Sequence, residues 1–272
     1  MNALVVYFSQ TGNTRLVAEA MARGLSAEGC DPVHIRPIEK VGPEEWRGCD
    51  LFVLGTPVFY YKEPANVRAW IRGLAPRDLV PAFAGLRRGK PAFTFITHGG
   101  NPTNTLRRLQ RLLGAKGARV LGSFECFGYD TYPIYLKSFR QWGHPDAEEL
   151  AAAEEFGRAA ARQAERFLAG APMAEASYPF VGGRTFRLSI LCRRPILDWT
   201  FPRLGLKRDL CTRCGACARR CPTGNISLDP PGGTFRWPAF ADRCIRCYLC
   251  ERICPHNAIQ CDWRFMTRLM NP

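Results

Sequence analysis

Residues 3–25 read ALVVYFSQTGNTRLVAEAMARGL. Positions 3–8 form an apolar, β-rich run, positions 9–14 (SQTGNT) a hydroxyl-rich loop, and Leu16, Val17, Ala20, Met21 and Leu25 then recur at helical spacing. The stretch predicts a strand, a phosphate-sized loop and a helix. Ser9, Thr11 and Thr14 bring hydroxyls beside backbone N–H groups at the helix start, where the dipole favours an anion. It is neither a Walker loop, which needs GK[ST], nor a G-x-G-x-x-G dinucleotide turn. Taken alone, it also reads as an ordinary capped helix start, for which Asn13 or Thr14 suffices.

The context downstream weighs against that plainer reading. Strand signals follow at 33–38, 51–55, 92–97 and 119–127, with helical patterns near 66–74 and 104–113 and a long Ala/Glu/Arg-rich helix at about 146–168. Alternation at these lengths predicts an α/β fold with a doubly wound parallel sheet and ligands beyond the carboxyl ends of the strands.

The other end of the chain carries a second signal. CTRCGACARRCP at 211–222 is followed 33 positions later by CIRCYLCERICP at 244–255. Both are C-x2-C-x2-C-x3-C-P, the run of bacterial iron-sulfur proteins in which the fourth cysteine ligates the other cluster. Three cysteines at steps of three turn their thiolates to one side of a tight loop and cannot reach around a cubane. The crossed assignment gives Cys211, Cys214, Cys217 and Cys254 to one [4Fe-4S] cluster, and Cys244, Cys247, Cys250 and Cys221 to the other. Pro222 and Pro255 stop any helix where the chain leaves each motif. Structural zinc fits poorly, because zinc sites show separated C-x2-C pairs, and disulfides fit worse in a chain of 13 cysteines with no signal peptide. Cys30, Cys49, Cys126, Cys192 and Cys261 are expected to be inert.

At 272 residues the chain has room for two domains, and no apolar run reaches the length of a bilayer span, so a soluble cytoplasmic protein is expected. The net charge of +14 is lopsided: residues 171–272 hold 16 basic and 7 acidic side chains, which puts +9 at the cysteine-bearing end. Arg213, Arg219, Arg220, Arg246 and Arg252 lie inside the motifs and Arg243 beside one. Cations there favour the reduced clusters and attract an acidic redox partner protein, although an arginine-rich composition alone also accounts for the excess. No nucleic-acid motif accompanies the charge.

Residues 1–170 resemble flavodoxin. SQTGNT matches its phosphate loop, GTPVFYY at 55–61 is similar to its first isoalloxazine loop, and THGGN at 97–101 to its second. The resemblance implies non-covalent FMN, with Ser9, Gln10, Thr11, Gly12, Asn13 and Thr14 on the phosphate. Thr56, Pro57, Val58, Phe59, Tyr60 and Tyr61 would then lie along one side of the ring, and Thr97, His98, Gly99, Gly100 and Asn101 along the other. Two departures stand out: His98, Gly99 and Gly100 replace a covering aromatic, and the acidity of flavodoxins is missing. No catalytic residue is assigned, His98 being a lone loop histidine. Residues 205–272 resemble bacterial two-cluster ferredoxins, a small α+β domain.

Residues 171–204 make the linker. Pro172, Pro179, Pro195, Pro202, Gly182 and Gly183 exclude one long helix. Its apolar and basic residues predict a connector in which Phe186, Leu188, Ile190, Leu191, Ile196, Leu197, Trp199 and Phe201 pack, with contact to a membrane surface the less favoured expectation. The whole resembles a flavodoxin-ferredoxin fusion, which implies an electron-transfer protein joining two-electron and one-electron partners. The alternative is an FMN-dependent reductase of a small acceptor such as a quinone, fed by its ferredoxin domain. A redox sensor ranks last.

Overall fold

The N-terminal run forms β1 (Ala3–Tyr7), with Ala3, Leu4, Val5 and Val6 all buried, as a strand covered on both faces requires. There follow α1 (Asn13–Ala27), β2 (Val33–Pro37), a short 3-10 turn at Ile38–Lys40, α2 (Pro43–Gly48), β3 (Leu51–Pro57), α3 (Ala65–Gly73), β4 (Lys90–His98), α4 (Thr105–Gly114), β5 (Ala118–Phe127), α5 (Ala147–Leu168) and α6 (Gly183–Leu191). This is a computed structural model that describes residues 1–75, 89–133, 141–192, 194–228 and 237–270.

The five strands form one all-parallel sheet in the order β2-β1-β3-β4-β5. That is the flavodoxin-like doubly wound order, in which the strand sequence switches direction between β1 and β3 and a crevice opens beyond their carboxyl ends. Register brings the loops there together. Phe8 N donates to Gly55 O (3.0 Å) and Val58 N to Thr97 O (2.9 Å), which sets the ends of β1, β3 and β4 side by side.

On one face α1 and α5 cross closely. A Cβ on Gly24 would collide with the Glu154 carbonyl and one on Gly157 with the Met21 carbonyl, so both positions require glycine. Asp146 caps α5, its carboxylate accepting from Glu149 N (2.9 Å) while Glu149 accepts from Asp146 N (2.9 Å). Across the sheet, Lys90 is 1% exposed and donates from Nζ to the carbonyls of Trp46 (2.7 Å) and Arg47 (3.1 Å), satisfying the end of α2. No sequence signal marked α2, which is only six residues long.

The chain divides into two compact units, Met1–Asp130 with Arg140–Ile190, and Thr131–Phe139 with Leu191–Pro272. The second holds α7 (Arg194–Thr200), β6 (Gly205–Leu206), α8 (Ala216–Arg219), β7 (Ile226–Ser227), β8 (Ala239–Phe240), α9 (Leu249–Arg252), β9 (Ile259–Gln260) and α10 (Arg264–Met270). Two small antiparallel pairs form, β6 with β9 and β7 with β8. The strand before the first cysteine motif therefore pairs with the strand after the second.

The linker is not one long helix. The sequence there makes two short helices, and Ile190 (42%), Leu191 (52%), Ile196 (36%) and Trp199 (84%) are exposed. Phe186, Leu197 and Phe201 are half-buried, and the side chain of Leu188 lies outside the described residues. Among the described residues no helix is long and apolar enough to cross a membrane.

Tyr132 belongs to the second unit although it lies 59 positions before Leu191. Its ring packs edge-on against Trp263 (5.3 Å between centroids), Tyr248 (5.6 Å) and Phe201 (6.2 Å). Removing a ring from such a cluster creates a cavity and forfeits aromatic pairing. Tyr132→Ala should lower the stability of the second unit by about 2–3 kcal/mol, read as an earlier loss of cluster absorbance in a thermal ramp; an unchanged midpoint would show that the ring contributes nothing there.

Candidate functional site

The hydroxyl-rich loop closes on itself before α1 begins. Gly12 takes φ 109°, a left-handed conformation natural to glycine, and its N–H donates to Ser9 Oγ (3.1 Å). Thr14, 2% exposed, shares a hydrogen bond with Thr97 Oγ1 (2.8 Å) at the end of β4, and Asn13 Nδ2 donates to Tyr129 O (3.1 Å). Ser9, Asn13 and Thr14 thus spend side-chain bonds on ordering the loop. Thr11 is exposed and Gln10 half-exposed.

This arrangement fits a phosphate. The first turn of the 15-residue α1 contains no carboxylate, and nothing lies within 4 Å of where a Cβ on Gly12 would stand. Backbone N–H groups at a helix start, an exposed hydroxyl and an open approach are the donor set an anion needs.

The loop after β3 makes a tight turn. Phe59 and Lys62 exchange backbone hydrogen bonds (2.8 and 3.1 Å), and Tyr60 and Tyr61 between them take φ 51° and 65°. Two non-glycine residues in the left-handed region cost of order 1–3 kcal/mol each, and such strain gathers at ligand sites. The surroundings hold it. Thr103 Oγ1 donates to Tyr61 O (2.5 Å), Lys62 Nζ to Ser189 O (3.2 Å), and Phe8 packs edge-on against Phe59 (6.3 Å). One residue beyond, the fully buried Glu63 side chain binds Arg108 (2.8 and 2.9 Å) and Arg68 (2.5 Å). Burial raises the Glu63 carboxyl, but Arg108 and Arg68 together outweigh it and hold the group below its usual range.

In the loop after β4, His98 Nδ1 accepts from Gly100 N (3.1 Å), and its ring lies edge-on to Phe127 (5.3 Å). Asp130 fills the space a Cβ on Gly99 would need. Among the described residues, the three loops converge at one end of the sheet, with Thr56 and Thr97 buried and Pro57, Val58, His98, Gly99 and Asn101 half-exposed. Nearby, His144, Asp146 and Glu149 place ligand atoms within 4.8 Å of one another. Their bonds are already used, since Glu149 accepts from Asp146 N, Phe127 N and His144, so the group serves as the cap of α5.

In the second unit Cys211, Cys214 and Cys217 line one cavity together with Cys254 from the other motif. Of the other four cysteines, Cys250 lies in the small core of this unit and Cys221 packs against that core. The Cys250 thiol is raised by burial and then by its neighbours Cys247, Cys244 and Cys221, and burial pushes Cys247 up to about 12 with Cys244 and Cys221 adding to it. Ionising buried thiols unaided is uphill, and an iron-sulfur cluster would supply the missing cation.

Backbone bonds repeat with the same 33-residue offset. Asn225 N donates to Cys221 Sγ and Ala258 N to Cys254 Sγ, both at 3.2 Å. Arg213 and Arg246 both take left-handed φ (59° and 57°), and Gly215 and Tyr248 precede α8 and α9 in the same way. Burial raises Cys30, Cys49, Cys126 (up to about 12) and Cys261 as well, which favours their protonated form.

Glu63, Thr103, Asp130 and Tyr129 were not expected at the site. Nothing in their local sequence marks them, because the fold brings them in from three different loops.

A family model described as flavodoxin matches residues 5–142, and one described as 4Fe-4S dicluster domain matches residues 210–258. An uncharacterized protein of Methanocaldococcus jannaschii is 28% identical over 162 residues, covering 58% of this chain and 97% of its own. Among solved structures, a flavodoxin from the domain Archaea is 21% identical, with 61% of this chain and 99% of that one covered and a TM-score of 0.46. The two-electron reduced flavodoxin of Megasphaera elsdenii is 23% identical, with coverages of 59% and 98% and a TM-score of 0.43.

Glu63→Gln should destabilise the protein by about 2 kcal/mol at pH 7, less than the roughly 3–5 of a wholly buried pair, because Arg68 and Arg108 keep solvent access. The folded carboxyl titrates lower than the unfolded one, so its stabilisation is present above the ordinary carboxylate range and is lost as pH falls through the folded value. Urea melts at pH 7 and pH 3 should therefore show the gap between wild type and variant closing on acidification; a constant gap would rule out the ionised pair as its source.

For the cysteines, Cys217→Ser with Cys254→Ser should lose one cluster, about four irons of about eight, and no more than either single change. Cys217→Ser with Cys221→Ser should lose both. Iron analysis decides, and the opposite pattern would break the crossed assignment.

Proposed function

The chain belongs to the flavodoxin family, and on that premise we propose that it passes electrons between FMN and two [4Fe-4S] clusters, linking two-electron to one-electron redox partners. Residues 1–170 act as the FMN-binding domain, 171–204 as the connector and 205–272 as the two-cluster domain. The observation that carries the reading is the cavity in which Cys254 joins Cys211, Cys214 and Cys217.

FMN supplies one- or two-electron chemistry and each cluster one-electron chemistry. The chain's residues divide the work around them. Backbone N–H groups at Asn13 and Thr14, with Ser9, Gln10 and Thr11, hold the phosphate. The turn from Thr56 to Tyr61 and the stretch from Thr97 to Asn101 flank the ring, and Glu63 keeps the first of these in its strained shape. Cys211, Cys214, Cys217 and Cys254 hold one cluster; Cys244, Cys247, Cys250 and Cys221 hold the other. His98 Nδ1 accepts from Gly100 N, which ties the ring to its own loop. The partner is an acidic redox protein, and the protein works in the reducing cytoplasm.

An anaerobic redox titration of the reconstituted protein, following flavin and cluster absorbance together, tests this. Stepwise single-electron uptake shared between flavin and clusters is expected. A single two-electron step at the flavin, with sustained turnover of an added quinone, would instead make the protein a reductase.

A further inference from the structure

We propose that the surface around Trp199 and Phe265 docks an acidic protein that carries single electrons. The inference rests on the electron-transfer reading and names the place where its partner sits. Trp199 (84% exposed) stands on α7 and Phe265 (63% exposed) on α10, and both line one cleft with Phe201, Pro202 and Met266. Both helices belong to the second unit. Large rings left in water beside a shallow cleft, with arginines at the edge, have the composition of an interface centre and its rim.

The cleft backs onto the second cysteine motif. The Pro202 carbonyl in its wall accepts from Tyr248 Oη (2.9 Å) and Arg246 Nη1 (2.8 Å). Those two residues lie between Cys244 and Cys250, and Arg246 N donates to Cys244 Sγ (3.4 Å). A carrier seated on Trp199 and Phe265 is thus separated from a cluster-holding loop by one layer of residues.

Charge selects the occupant. Residues 191–272 hold 14 basic and six acidic side chains, and two oxidised clusters at about two minus each leave the unit cationic. The cleft's own carboxylates are held by arginines, Asp198 by Arg246 (2.8 Å) and Asp262 by Arg264 (2.9 Å). Arg203 in the cleft wall and Arg268 on α10 are exposed. Cations around an apolar centre speed encounter with an acidic surface. A lipid surface suits the site less well, because α7 and α10 have seven residues each and lay down no broad apolar face.

The test uses the full chain with its flavin and clusters, reduced by dithionite and mixed in stopped flow with an acidic [2Fe-2S] ferredoxin as acceptor. The wild-type rate should fall as salt is added. The Trp199→Ala, Phe265→Ala double variant and Arg203→Glu should each slow the exchange about tenfold, with reduction of benzyl viologen unchanged. Wild-type rates in every variant would overturn the docking surface while leaving the electron-transfer reading intact. Co-sedimentation with phosphatidylglycerol vesicles that the double variant loses, alongside unchanged ferredoxin exchange, would assign the face to lipid and overturn it as well. Transfer from wild type to viologen but none to the ferredoxin would refute the electron-transfer reading, and the docking surface with it.

Discussion

Three thiolates on one tight loop cannot surround a cubane, and the second unit is organised around that shortfall. Cys254 of the second motif crosses to the cavity of Cys211, Cys214 and Cys217, and the strands cross likewise: β6 pairs with β9 and β7 with β8. Cys217 and Cys250 themselves sit in the small core with Ile226 and Ile259. The strands are two residues long and α8 and α9 four, too short to persist without partners. Metal ligation and the hydrophobic core are therefore one construction, and the aromatic cluster of Tyr132, Tyr248 and Trp263 extends it on one side.

The first unit obeys the opposite logic. Its sheet and the α1–α5 crossing make a large core that needs no ligand, and the loops at the end of the sheet are tied to one another by protein hydrogen bonds. Thr14 to Thr97, Asn13 to Tyr129 and Val58 to Thr97 fix the relation of the three loops before any flavin binds. Only against such a frame can Tyr60 and Tyr61 hold left-handed backbone. The buried Glu63, gripping Arg68 and Arg108, anchors the chain immediately after that turn.

Much of this was legible in the sequence because it depends on short-range pattern. The strands fall within about two residues of their apolar runs, Asp146 and Glu149 announce the start of α5, and the cysteine spacing specifies which thiols can share a cavity. What was not legible depends on chain segments meeting. Lys90 reads as a surface residue until β4 carries it beneath α2, and Glu63 as a solvated charge until α4 brings Arg108 to it. Tyr132 sits in a loop of the flavodoxin-like stretch, and no local signal assigns it to the second unit.

The arginines of the cysteine motifs illustrate how a charge count misleads. Read as a list, they are cations that raise cluster potentials and draw in a partner. In the structure most are braces. Arg219 donates to Cys214 O (2.9 Å), Arg243 to Gly224 O (3.3 Å), and Arg246 to the carbonyls of Phe201 and Pro202 and to Asp198. Arg213 lies over the Trp237 ring at 4.6 Å. A guanidinium neutralised by Asp198 shifts a neighbouring cluster less than an unpaired one, and its fork is fixed by the loop it supports. On the proposed docking, exposed cations outside the motifs, Arg203, Lys207 and Arg268 among them, add to the field a partner would meet, while the motif arginines also shape the cysteine loops.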